Sequence, residues 1–216
     1  MSEAVKSSRP YASSRRQAQA AATRREIIDA AQRLFIAYGY VGTTLADIAR
    51  EAGVAVPTVK LIYRTKRGVL MAVWDRAVKG GDDPAPVADQ PWFKELIASP
   101  DARDHLRLQA AASRHVKPRI GPLVEVIRSA APSDPEIAAL WRQMQTEFYD
   151  NQRATVRALR AKGRLRSGLD ESDATDLLWT LNHPAVYQLL VVERGWSPER
   201  YERWLADTLI EQLLAK

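Results

Sequence analysis

Cysteine is absent from this 216-residue chain. That excludes a disulfide framework, a thiol nucleophile and any cysteine-ligated metal or iron–sulfur centre. Histidine is scarce, and His105, His115 and His183 form no His-x-x-x-His pair that would seat a metal on one helix face. No G-x-S-x-G elbow, phosphate-binding loop or dinucleotide glycine motif occurs, so the common enzyme signatures are missing. No apolar run approaches the roughly 20 residues that span a bilayer. The first residues lack the apolar segment of a secretory signal, so a cytoplasmic protein without membrane contact is expected. Period-two alternation and Asn-Gly or Asp-Gly hairpin signals are also missing, which argues against strands. What remains is an all-α chain that is not an enzyme and carries no metal or cofactor.

Hydrophobic residues make up 46% of the chain, enough for a buried core. The net charge is +6, and its placement is uneven. Residues 1–80 hold 14 Lys+Arg against 6 Asp+Glu, a net of +8; residues 81–216 hold 18 against 20, a net of −2. A basic first third suits a polyanion partner, either nucleic acid or an anionic membrane surface. Residues 1–22 are polar and small, with Arg9, Arg15 and Arg16 among serines, and read as a flexible basic arm.

A helix is expected from about Thr23, with Ile27, Ile28, Ala31, Leu34, Phe35 and Tyr38 on one stripe and Gly39 as its stop. Thr43 or Thr44 can cap a short second helix in which Leu45, Ile48, Ala49 and Ala52 repeat at helical spacing. Gly53 supplies a tight turn, Pro57 suits the first turn of a third helix, and the pair makes a helix-turn-helix over about 44–63. Val59, Ile62 and Tyr63 should face inward. Thr65 can cap a fourth helix, Lys66 to Lys79, with Val69, Leu70, Val73 and Trp74 inward. The helix-turn-helix domain then spans 23–80, and the Gly-, Asp- and Pro-rich stretch 81–90 is a linker.

Residues 91–216 read as a second helical domain, giving about nine helices in all. A short helix covers Trp92–Ala98. The next begins near Ser99–Asp101 and must kink or split at Pro118 and Pro122. Ser133–Glu136 reads as a capping box ahead of a long helix carrying Ile137, Leu140, Trp141, Met144 and Phe148. Another helix follows Asp170–Asp173 and kinks at Pro184; the last starts at Ser197–Glu199. Trp141 and Trp204 fit core stripes, and His115, beside Arg114 and Lys117, reads as surface. Trp179, Asn182, His183 and Tyr187 gather near the Pro184 kink, with Phe148 and Tyr149 able to face them, and form the candidate ligand pocket.

The run from Gly39 to Val54, GYVGTTLADIAREAGV, closely resembles the N-terminal signature of TetR-type transcriptional regulators. Pro57-Thr58-Val59, Tyr63-Arg64-Thr65-Lys66 and Val69-Leu70 resemble its continuation, so the likeness covers about residues 24–78. It implies three N-terminal helices for DNA, a linking fourth helix, and a divergent C-terminal domain for ligand binding and dimerisation. In a helix-turn-helix the N-terminal end of the second helix enters the major groove. That end is Ala55, Val56, Pro57, Thr58, Lys60 and Leu61; Thr44 and Lys66, at helix starts, suit phosphates. Two positions that are usually aromatic in the family are Lys60 and Ile62 here, and Lys60 can supply a phosphate contact as a point charge. The implied protein is a homodimeric, ligand-responsive repressor on a palindromic double-stranded DNA operator. It dimerises through the last two helices, about 172–193 and 198–214, and releases DNA when a small-molecule effector binds.

Overall fold

A computed structural model describes residues 9–81, 85–86 and 89–215, with side chains from residue 15 onward. It divides into two units, one ending at Val73 and the other beginning at Trp74. The division falls inside a helix, upstream of the expected linker.

In the first unit, α1 runs from Arg9 to Tyr38, α2 from Leu45 to Glu51 and α3 from Val56 to Tyr63. The helix thus starts well before Thr23, and residues 9–22, expected as a flexible arm, form its first turns. Ala, Gln and Arg dominate this stretch, and their high helix propensity favours the extension. Residues 1–8 of the expected arm lie outside the described residues. Ile27, Ala30, Ala31 and Phe35 are fully buried, as are Ile48, Ala49 and Val59 of the next two helices. Tyr38, expected on this stripe, is 68% exposed. Gly39, at φ 71°, reverses the chain just after it, and the buried Tyr40 folds back to stack on Phe35 with ring centroids 5.8 Å apart. Arg33 pairs with Glu51 at 2.9 Å and ties α1 to α2.

Helix α4, Lys66–Lys79, gives Val69, Leu70 and Val73 to buried positions; its last turns, from Trp74, belong to the second unit. There α5 spans Pro91–Ala98, α6 Ala102–Ala130, α7 Pro135–Lys162 and α8 Glu171–Leu181. A single turn, α9 (Pro184–Tyr187), continues as a π-helical turn over Gln188–Glu193, and α10 covers Pro198–Leu213. The core is built from α6, α7, α8 and α10, with Leu106, Ala110, Val156, Leu159, Leu178, Tyr201, Leu205 and Leu209 at its centre. No β-strand occurs among the described residues; one isolated bridge, Leu165 to Leu214, pins the end of the chain.

Helix α6 neither splits nor stops at its prolines. Pro118 and Pro122 lie four residues apart within one 29-residue helix. Their missing N–H groups fall in consecutive turns, and burial of Leu106, Ala110, Leu123 and Ile127 along the inner face outweighs the loss. Arg119, between them, turns outward from the helix and donates from Nε to the Ala77 carbonyl at 2.8 Å, satisfying the C-terminal end of α4. The cap of α7 is Asp134, whose carboxylate accepts from the Glu136 and Ile137 amides; Ser133 belongs to a preceding 3₁₀ turn. Pro184 does more than kink a helix. Asn182 ends α8, and His183 caps the next turn by accepting from the Ala185 amide.

Candidate nucleic-acid interface and ligand cavity

The helix-turn-helix is set by local chemistry. Thr44 Oγ1 accepts from the Asp47 amide at 3.1 Å, and Asp47 reciprocates by accepting from the Thr44 amide at 3.1 Å. The Thr44 hydroxyl, then the Arg50 guanidinium, hold the Asp47 carboxyl below its ordinary range. Gly53 takes φ 66°, and the Val54 amide donates to the Ala49 carbonyl at 2.9 Å to close the turn. Helix α3 then restarts from Ala55 with Pro57 in its first turn, where no intrahelical donor is needed.

This places the expected contact residues unequally. Ala55, Pro57, Lys60 and Leu61 are exposed, Val56 and Thr58 are half-buried, and Val59 is fully buried as the helix's anchor. Leu61 is 84% exposed. Ile62 and Tyr63 are half-buried, and the Tyr63 hydroxyl donates to the Arg24 carbonyl at 3.4 Å. Thr44 is exposed at the start of α2. Lys66 departs from expectation. Its ammonium donates to the Tyr40 and Thr43 carbonyls at 2.7 and 2.9 Å and sits 4.1 Å from the centroid of the Tyr40 ring. The side chain clamps the 40–43 turn, because those carbonyls follow the end of α1 and lack helical donors.

The second unit contains a cavity of about 590 Å³, lined wholly by its own residues. Of the six expected ligand residues, Phe148, Asn182 and His183 line it. Tyr149 turns away, its hydroxyl donating to Asp176 at 3.0 Å. Tyr187 is core, edge-on to Tyr201 with centroids 4.9 Å apart. Trp179 stands behind His183, 5.2 Å between ring centroids, and does not reach the cavity.

Sequence reasoning missed most of the wall. Trp74, Trp92 and Phe93 line it from upstream, and Trp141, expected as core, lines it as well. It also missed a buried polar network. Lys117, expected near a surface patch, is only 4% exposed. Its Nζ donates to Asn182 Oδ1 at 2.7 Å and to the Tyr201 hydroxyl at 2.6 Å. Ser113 donates to the same Asn182 oxygen at 2.7 Å, while Asn182 and Gln109 both donate to Gln152 Oε1 at 3.2 Å. Burial pushes Lys117 well below the ordinary lysine range, and burial followed by the Lys117 charge lowers His183. His105 also lines the cavity and is lowered to about 4, first by burial and then by nearby Lys162. The signal for Lys117 was its spacing with Leu106, Ala110 and Ser113 on the inner face of α6.

Residues 27–73 match the family of bacterial regulatory proteins described as the tetR family. No curated protein sequence matches the chain. Among solved structures, a protein from Saccharomonospora viridis in complex with choline is 22% identical, with 89% of this chain and 98% of that one covered and a TM-score of 0.67. FadR from Bacillus subtilis in complex with stearoyl-CoA is 16% identical, with 86% and 97% covered and a TM-score of 0.65. NalD, the secondary repressor of the MexAB-OprM multidrug efflux pump in Pseudomonas aeruginosa, is 18% identical, with 90% and 97% covered and a TM-score of 0.63. At these identities the likeness is one of fold.

Proposed function

We propose that this chain, a TetR-family transcriptional regulator by its residues 27–73, is a ligand-responsive repressor that binds a palindromic operator as a homodimer. The observation that carries the reading is the outward row of Pro57, Lys60 and Leu61 on a helix anchored by Val59, in the basic third of the chain. Lys60 serves a phosphate or a guanine edge. Leu61, Val56 and Pro57 serve thymine methyl groups, and Ala55 leaves room for close approach. Thr44 and the backbone at the starts of α2 and α4 hold phosphates, with Lys66 keeping the turn beside them rigid. A dimer presents two such helices to half-sites about 34–36 Å apart.

The cavity takes the effector. Solved structures of this fold hold choline in one case and stearoyl-CoA in another, and the aromatic cavity here suits a small organic molecule. Trp74 follows Val73 directly in α4, so a ligand against Trp74 acts on the helix that also carries Val69 and Leu70. Coupling of about 1–3 kcal/mol is enough to release DNA in a graded way. The partner surface is assigned to the last two helical regions, where Leu189 and Val192 are exposed. The test is binding of the purified protein to duplexes from around its own gene. A specific duplex bound tightly, and released by a ligand that fills the cavity, supports the reading; equal affinity for all duplexes overturns it.

A further inference from the structure

Lys117 gives the cavity a chemical polarity. Its two hydrogen-bond acceptors, Asn182 Oδ1 and the Tyr201 hydroxyl, are neutral, and the first is shared with Ser113. No carboxylate pairs with it among the described residues. An ammonium has three donors, and only two are used here. A buried cationic group without a counter-ion is costly unless something supplies the charge.

The other titratable groups on the cavity wall do not supply it. His105 and His183 are bases held neutral by burial, and Glu147 is exposed at the rim, where it accepts from Gln143 at 2.8 Å. Lys162 sits behind His105, 3.1 Å from Nδ1, and adds positive charge rather than removing it. The remaining wall carries no charge: Trp74, Trp92, Trp141 and Phe148 are prominent, with Gln145, Asn151 and Thr155 among its polar groups.

We propose that the ligand of this cavity is an amphipathic monoanion, a carboxylic acid with an aromatic or aliphatic body, whose carboxylate takes Lys117 as its counter-ion. The proposal rests on the reading of the cavity as the effector site. The acid completes the third donor of the ammonium, the aromatic wall covers the body, and a cationic ligand meets a like charge.

The test is calorimetric titration of the full chain with matched probes: naphthalene-2-carboxylate against naphthalene-2-carboxamide, dodecanoate against dodecan-1-ol, and a naphthylmethyl trimethylammonium ion. A charge-assisted hydrogen bond predicts that one acid binds about tenfold or more tighter than its neutral counterpart. Lys117→Met should erase that preference while leaving the neutral probe within about threefold of its original affinity. Neutral probes that bind as well as the acids, or a preferred cation, overturn the proposal and leave the cavity a ligand site. Failure of every probe to bind overturns the effector-site reading along with it.

Discussion

Lys117 is a lysine where the inner face of α6 wants an apolar side chain, flanked along that face by the buried Ala110 and Leu123. A site kept for binding rather than stability has a measurable signature. Lys117→Met preserves length and removes the desolvated amine, so the unliganded protein should gain about 1–2 kcal/mol in denaturant unfolding. A loss of stability would mean that the hydrogen bonds to Asn182 and Tyr201 outweigh the burial of the amine. His105 makes a second residue-scale prediction. Its pKa is about 4 in the fold against 6.5 ordinarily, so the unfolded chain binds the extra proton first as pH falls. Its contribution is therefore intact above pH 6.5 and is lost between 6.5 and about 4, amounting to about 2 kcal/mol after allowance for partial solvation. Thermal unfolding midpoints should fall across that window, and His105→Gln should flatten the slope there; an unchanged slope would remove His105 from the account.

At the scale of elements, the helix-turn-helix depends on Gly53. Its φ of 66° is costly for any residue with a Cβ, while an added Cβ would meet nothing within 4 Å. Gly53→Val should therefore cost about 1–2 kcal/mol by backbone conformation alone. A second transition or an early melting of α1, α2 and α3 should report it, and no change would mean that the turn relaxes. This element was legible in the sequence because each of its signals is local: the Thr44 cap, the Gly53 turn, Pro57 in a first turn. The α6 prolines misled for the opposite reason. Their local penalty is real, and only the distant residues packed on α6 outweigh it. The cavity was half legible. Phe148, Asn182 and His183 sit near a visible break at Pro184. Trp74, Trp92 and Trp141 come together through folding of distant segments, and Lys117 is disguised because a lysine between His115 and Pro118 reads as solvated. Tyr149 and Tyr187 were misplaced because helical spacing gives a face without saying which neighbour covers it.

At the scale of the whole molecule, the account joins a basic first third, the exposed face of α3 and an aromatic cavity, and it requires a symmetric pair. Leu189 and Val192 are 51% and 64% exposed on the π-helical turn, so Leu189→Asp with Val192→Asp should turn a sedimenting dimer into a monomer and weaken operator binding by at least about tenfold. A dimer that persists would place the interface elsewhere. The central claim, that α3 enters a DNA groove, is tested most directly by the salt dependence of operator affinity for the unaltered protein and for Lys60→Ala. The account predicts a steep linear fall of log affinity with log salt, a slope shallower by about one charge per half-site in the variant, and weaker binding to operator and unrelated duplex alike if Lys60 meets phosphate, or to operator alone if it meets a guanine. A slope and an affinity that Lys60→Ala leaves unchanged would contradict it.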